Sequence, residues 1–175
     1  MRRVSIVTAV VFVITFSLAV IVNAGENKIG AGCQAVLLEG VGVEDILQGG
    51  SVRGWVDDIC WEGNIYRNSY DEDDGSEGDL WMLTGKAMFA TKLNEKSRFY
   101  LGVELGFGEL DVDNGVDEDY DVLTLGPLFG AEYSLQGLPE LGFHWEIGYK
   151  LTNFNNDDDF DISGIQIALG VHYYF

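Results

Sequence analysis

The chain has 175 residues, enough for one domain, and its 29 Asp and Glu against 10 Lys and Arg give a formal charge of −19 at pH 7. Such a charge repels nucleic acid and argues against it as a partner. Aromatic residues make up 13% of the chain, and 23 glycines stand against two prolines, a composition that excludes an acidic disordered tail and favours a β-rich fold.

The N-terminal segment predicts a signal peptide. Two arginines follow Met1, and an almost unbroken apolar run then covers Val4–Val22. With cleavage expected after Ala24, the chain divides into a signal peptide, 1–24, and a mature domain, 25–175. The mature domain carries eight Lys and Arg against 29 acids, a formal charge of −21. The alternative is a retained membrane helix, since the run is about long enough to span a bilayer.

The periodic signal after the leader has period two, which predicts β-strands. The first three strands are predicted at about Ile29–Leu38, Ser51–Val56 and Ile59–Asn68. Five strands with stronger alternation follow, and one face of each is built from large apolar side chains. These residues are Trp81, Leu83, Ala87 and Phe89; Phe99, Leu101, Val103, Leu105 and Phe107; Leu123, Leu125, Pro127, Phe129, Ala131 and Tyr133; Leu141, Phe143, Trp145, Ile147, Tyr149 and Leu151; and Ile165, Ile167, Leu169, Val171, Tyr173 and Phe175.

The opposite face of the same strands combines glycine with isolated charges, which is too little apolar material for a dry core. A soluble β-sandwich or lipocalin points its apolar face inward and its charges outward. Here the pattern is inverted, and only lipid on the outside accounts for it. We therefore predict an all-β fold, an eight-stranded antiparallel transmembrane β-barrel. An even number of strands returns the chain to the side where it started.

The connections alternate between long and short, which orients the predicted barrel. Short turns belong on the periplasmic side of such barrels and long loops outside. The long loops hold most of the acids and no Lys or Arg, whereas one turn holds three cations. The predicted loops are 39–50, 69–79, 109–121 and 153–160, and the predicted turns are Asp57-Asp58, 92–98 and 135–140.

The C-terminal strand resembles a known family. The chain ends on Phe175, with Tyr173 and Val171 at the preceding alternate positions, and this resembles the C-terminal signature of outer-membrane barrels. In that family the barrel assembly machinery recognises the last strand. The mature chain is similar to the small eight-stranded group typified by OmpX and the OmpA barrel, with further similarity in 126–133 and 138–143. The resemblance implies the outer membrane of a Gram-negative bacterium, among lipid and lipopolysaccharide, but no particular function.

Charges on the inward face form the first candidate site. The interior of an eight-stranded barrel is just wide enough for side chains to fill, and buried charges need partners. We predict a salt-bridge network that plugs the lumen of a non-catalytic barrel with a structural or surface-interaction role. A narrow, gated channel is the alternative. The predicted network consists of Arg53, Glu62, Lys86, Glu104, Glu132, Glu146 and Lys150.

His144 and His172 form the second candidate site. Both are predicted to face inward near the periplasmic end of the last two strands, with Glu146 one pleat away. Hydrogen-bonded lumen residues are one interpretation, and a metal or proton site is the other. No serine is expected beside either histidine on the same face. A lipid-modifying enzyme therefore lacks its Ser-His-acid group, and we predict no catalysis.

The acidic loops form the third candidate site. Their spacing does not match an EF-hand, which leaves two interpretations. One is a solvated, repulsive surface. The other is weak, shared binding of calcium or magnesium that bridges to lipopolysaccharide phosphates. No other cofactor is predicted, and the loops' extracellular partner is left open. The carboxylates of the second interpretation are Asp71, Asp73, Asp111, Asp113, Asp157 and Asp159.

The two cysteines are predicted to be free thiols. Cys33 falls on the outward face of the first strand and Cys60 on the inward face of the third. The intervening strand separates them by about 9–10 Å, whereas a disulfide needs Cα atoms within about 7 Å. The residues before Cys33 resemble the end of a lipobox, but the polar residues 26–28 separate them from the apolar run, so lipidation is not expected.

Overall fold

The structure, a computed structural model, describes residues 27–38, 46–71, 77–94, 96–113, 117–155 and 160–175. The predicted signal peptide and the carboxylates of Asp73, Asp157 and Asp159 lie outside these ranges. Each strand pairs antiparallel with its neighbours in sequence, and β1 also pairs with β8. The strands are β1 (Asn27–Leu38), β2 (Leu47–Val56), β3 (Ile59–Asp71), β4 (Glu77–Asn94), β5 (Ser97–Asp113), β6 (Asp117–Leu135), β7 (Leu138–Asn155) and β8 (Phe160–Tyr174). The predicted all-β, eight-stranded antiparallel barrel is confirmed.

Alternate residues of each strand lie on opposite sides of the barrel wall, as the sequence predicts. In β5, Glu104 is 2% exposed whereas its neighbour Leu105 is 55% exposed. The same alternation on the other strands surrounds the barrel with a band of exposed Leu, Ile, Val and aromatic side chains. No helix in the described part of the chain is long and apolar enough to cross a membrane.

Tight hairpins define one end of the barrel, called here the turn end, where the C-terminus also lies. Asp57-Asp58 joins β2 to β3, and Asp57 has a φ of 53°. This left-handed conformation is typical of two-residue hairpins, and Asp tolerates it. The opposite end, called the loop end, is where β5 and β6 reach their last pair, Asp113 and Asp117.

The predicted turn Asp57-Asp58 is confirmed, but other predicted boundaries of loops and turns are wrong because pairing continues beyond the apolar band. Most of 109–121 is paired strand, so Asp111 and Asp113 lie in a strand and not in a loop. Asp71, predicted in the loop 69–79, is the last residue of β3. The turns predicted at 92–98 and 135–140 are shorter than predicted. Lys92 and Arg98 pair across β4 and β5, and β6 and β7 are separated by two residues. Ladder formation requires only free backbone groups, so the end of an apolar face does not mark the end of a strand.

The interior is layered along the barrel axis. Two apolar clusters flank a belt of polar and charged side chains. The turn-end cluster consists of Trp55, Cys60, Met88, Ala90, Tyr100, Leu128 and Tyr174. The loop-end cluster consists of Val36, Leu47, Tyr66, Met82 and Ala168, with Leu80 packed against it.

Candidate functional site: the charged lumen

Arg53 is the centre of the buried charges. Its Nε donates to Glu62, and its two terminal nitrogens lie 3.1 Å from a Glu132 oxygen and 2.7 Å from a Glu146 oxygen. The hydroxyl of Tyr100 is 3.4 Å from Nη1. One guanidinium on β2 therefore contacts its cross-strand neighbour on β3 and reaches across the lumen to β6 and β7, and the fork of five donors suits this role.

Lys86 extends this network. Its Nζ lies 2.5 Å from Glu146 Oε2 and 2.7 Å from Glu62 Oε1, and it donates to Gln34 Oε1 at 3.0 Å. Two cations and three carboxylates thus share one buried belt. Such a group is stable only while every charge keeps its partner.

Lys150 and Glu104 form a separate pair nearer the loop end, with Nζ and Oε2 2.5 Å apart. The structure therefore places all seven predicted lumen charges inside the barrel and buried. Five form one network and two stand apart. A cavity of about 50 Å³ lies beside this pair, large enough for a few water molecules.

Aromatic residues that sequence reasoning did not single out cover the network at the turn end. The Tyr174 hydroxyl donates to Glu132 at 2.5 Å and accepts from Trp55 Nε1 at 3.1 Å. The Arg98 guanidinium lies 4.1 Å from the Trp55 ring. The signal was available in the inward position of Tyr174, because a buried tyrosine hydroxyl usually finds a hydrogen-bond partner.

His144 and His172 are neighbours inside the barrel, with ring centroids 5.0 Å apart and nearly parallel planes. The carboxylate grouped with them is Glu62, which sequence reasoning did not associate with them, rather than Glu146. Glu62 Oε2 lies 3.9 Å from His172 Nε2. Strand β3 supplies it from across the lumen, a proximity that strand parity does not encode.

The prediction that no serine lies beside a histidine is wrong. Ser51 Oγ is 2.7 Å from His172 Nε2. Both residues pair with Gly32 of the intervening strand β1, and a Cβ at Gly32 would lie 2.8 Å from His172 Cδ2. The missing side chain lets Ser51 reach across. The geometry is not that of a catalytic triad, because Ser51 and Glu62 approach the same histidine nitrogen.

The acidic rim, defined as Asp79, Asp111 and Asp119, runs directly across three strands at the loop end. Partial burial, followed by the charge of Asp119, raises the pKa of Asp111. By contrast, Arg67 donates to Asp79 through two nitrogens at 3.2 and 2.6 Å, and these bonds lower the pKa of Asp79. Divalent-cation binding by the predicted acids stays a prediction.

The cysteines and the C-terminus lie where the sequence places them. Cys33 is exposed, Cys60 is buried, and both are free. Tyr173 and Phe175 are exposed on the outer wall, and the Phe175 amide donates to the Ile29 carbonyl at 2.9 Å where β8 meets β1. The role of Val171, Tyr173 and Phe175 in assembly stays a prediction.

Comparison with known proteins identifies the fold alone. No family model matches the chain, and no curated protein matches its sequence. Among solved structures, the N-terminal β-barrel domain of Pseudomonas aeruginosa OprF matches with a TM-score of 0.60 at 14% identity, covering 86% of this chain and 99% of that one. Neisserial surface protein A matches with a TM-score of 0.55 at 18% identity, covering 87% and 99%. Ail of Yersinia pestis, solved with the heparin analogue sucrose octasulfate, matches with a TM-score of 0.50 at 18% identity, covering 85% and 96%.

Proposed function

We propose that this chain is a non-catalytic, integral outer-membrane β-barrel with a plugged interior and a structural or surface-interaction role. It would be exported to the outer membrane of a Gram-negative bacterium and inserted by the barrel assembly machinery through its C-terminal strand. Its apolar band would contact outer-membrane lipid and lipopolysaccharide. The fold shared with solved outer-membrane barrels supports this location, as does the exposed apolar band.

The observation that carries the proposal is the charged belt centred on Arg53. Guanidinium, ammonium and three carboxylates meet in the middle of the lumen, and apolar clusters pack on both sides of them. An ion crossing the barrel would have to displace these pairs. Each broken buried pair costs several kcal/mol, roughly 3–5. The interior therefore favours a plug over the alternative of a narrow channel.

Conductance in planar bilayers tests the plug. We expect the purified protein, its folding verified by a difference in gel mobility between unheated and boiled samples, to give no steady unitary currents. An Arg53→Ser variant that keeps this mobility shift is expected to conduct, since it opens the centre of the belt. Steady unitary currents from the wild-type protein would replace the plug with the channel.

A surface role is supported by the loop end, where the acidic rim meets the medium. A rim of this sign repels polyanions at moderate salt. Ail was solved with a sulfated heparin analogue, and we infer that this chain does not take that type of ligand. Retention on heparin resin near physiological ionic strength would contradict the inference.

A lipid-modifying enzyme is the third hypothesis. The Ser51–His172 pair is its only structural support among the described residues, and it is weak, because both side chains are buried in the lumen away from the outer wall. Mass profiles of lipid A from cells with and without the protein test it. Identical profiles are expected, and a species that depends on Ser51 would establish an enzyme.

A further inference from the structure

We propose that Glu62, His144 and His172 form a binding site for one divalent transition-metal ion, with Zn²⁺ the best fit. One potential ligand atom from each residue lies within 4.8 Å of the other two, and all three residues are buried. Two imidazoles and one carboxylate are a recurrent ligand set for zinc, which binds each at about 2.0–2.2 Å. Tetrahedral ligands at those lengths lie about 3.4 Å apart, so modest side-chain shifts would close the site.

The histidines carry the strongest evidence for a metal site. Both ring nitrogens of His144 and Nδ1 of His172 have no hydrogen-bond partner among the described residues. His144 is 4% exposed and His172 is 0% exposed. A buried polar atom without a hydrogen-bond partner destabilises the folded state. Three such atoms in one cluster would destabilise a purely structural plug, whereas a metal ion would accept a lone pair from each ring.

Two glycines make room for the stacked rings. A Cβ at Gly170 would lie 2.2 Å from His144 Cε1, and one at Gly32 would lie 2.8 Å from His172 Cδ2. Ser51 approaches His172 Nε2 at 2.7 Å. In the tautomer in which Nε2 donates to this hydroxyl, Nδ1 keeps its lone pair for a metal ion, and Ser51 then acts as outer partners of metal-binding histidines do.

The two cations that contact Glu62 also have other carboxylate partners. Arg53 and Lys86 both contact Glu62, but both also contact Glu146, and Arg53 contacts Glu132. Arg98 also lies 3.9 Å from Glu132, so three cations meet three carboxylates, and Arg53 and Lys86 keep other partners when Glu62 also holds a metal ion. A metal ion would share Glu62 with the cations, and it would tie β3 to β7 and β8 across the lumen.

Zinc content after refolding tests the proposal. The protein is extracted in detergent, unfolded in urea with a chelator, freed of the chelator and refolded into micelles. Refolding takes place with Zn²⁺ and an excess of Ca²⁺, which occupies surface carboxylates but prefers oxygen ligands. We expect about one Zn²⁺ per chain after washing, and roughly tenfold less in a His144→Asn/His172→Asn variant. Thr84→Val, a lumen substitution outside the cluster, is the matched control and should keep the zinc.

Cobalt spectroscopy provides a second measurement that needs no variant. Co²⁺ refolded into the wild-type protein should give the strong visible absorption of a tetrahedral N/O site, and Zn²⁺ should abolish it. Zinc retention equal in the wild type and the double histidine variant would overturn the proposal. So would a cobalt spectrum like that of the aqueous ion, whether or not the variant folds.

Discussion

The apolar band and the strand ends beyond it are built from the same strands but have opposite patterns of exposure. These strand ends, called here the loop-end extension, include 109–112 of β5 and 119–122 of β6. Within the band, Leu105 and Leu123 are exposed, whereas Glu104 and Thr124 are buried. Immediately before Leu123 in β6, Asp121 is exposed and Val122 is buried. The extension thus follows the rule of a soluble sheet and the band follows its inverse. In a barrel whose apolar band faces acyl chains, this inversion is expected at the level where lipid gives way to water.

Removing Arg53 should have the largest effect. Arg53→Ala leaves Glu62, Glu132 and Glu146 without their shared cation in a low-dielectric interior, and we expect a loss of about 3–5 kcal/mol in the free energy of unfolding. Urea unfolding in lipid vesicles measures it. Arg67→Ala is the matched control, because its side chain is 74% exposed and little change is expected. Equal losses in both variants would contradict a charged plug.

Charge on the outer wall should come next. Val103→Arg puts a cation midway along the exposed apolar row of β5 against acyl chains, with an expected loss of roughly 2–4 kcal/mol. Asp121→Arg, on the same outer face in the extension, should change the stability much less, about 0–1 kcal/mol. Unfolding midpoints in vesicles compare the two, and an equally tolerated arginine at both positions would show that the band does not face lipid.

The hydroxyl of Tyr174 should contribute less than a buried charge. Tyr174→Phe removes the donor to Glu132 and the acceptor for Trp55 Nε1. We expect a loss of about 1.5–3 kcal/mol, as for hydrogen bonds to charged groups. The same unfolding assay applies, with Tyr173→Phe as the outward control. A neutral Tyr174→Phe would mean that the aromatic cover does not support the network.

Relief of repulsion on the acidic rim should give a small gain. Asp111 lies opposite Asp119, and its pKa is raised, so the folded state binds its proton more tightly than the unfolded chain does. Wild-type stability should therefore rise as the pH falls toward that raised pKa, and Asp111→Asn should lose this dependence. At neutral pH the variant should be more stable by roughly 0.2–1 kcal/mol. A less stable variant would indicate an attractive role for Asp111.

Calcium should have the smallest effect. If the acidic residues share a weakly held cation, millimolar calcium raises the unfolding midpoint of the wild type, and less so that of Asp111→Asn. An absence of any shift would leave the rim as a solvated, repulsive surface.

Strand parity predicts which side of the wall a residue occupies but not what it meets there. Arg53 and Glu62 could be placed inside from alternation alone, because the side-chain period of a strand is two. The contact of Arg53 with Glu146 depends on how the barrel closes, and the Ser51–His172 bond depends on Gly32 lying between them. The extension of β5 and β6 was missed because its alternation has the opposite sign.

Quenching of tryptophan fluorescence by lipids with brominated acyl chains tests whether the apolar face of the barrel wall contacts lipid. One variant would keep only Trp145, which lies on the outer band, and another only Trp55, which lies in the turn-end cluster. We expect strong quenching of Trp145 in vesicles and little quenching of Trp55. Stronger quenching of Trp55 than of Trp145 would contradict the assignment of the apolar face to lipid.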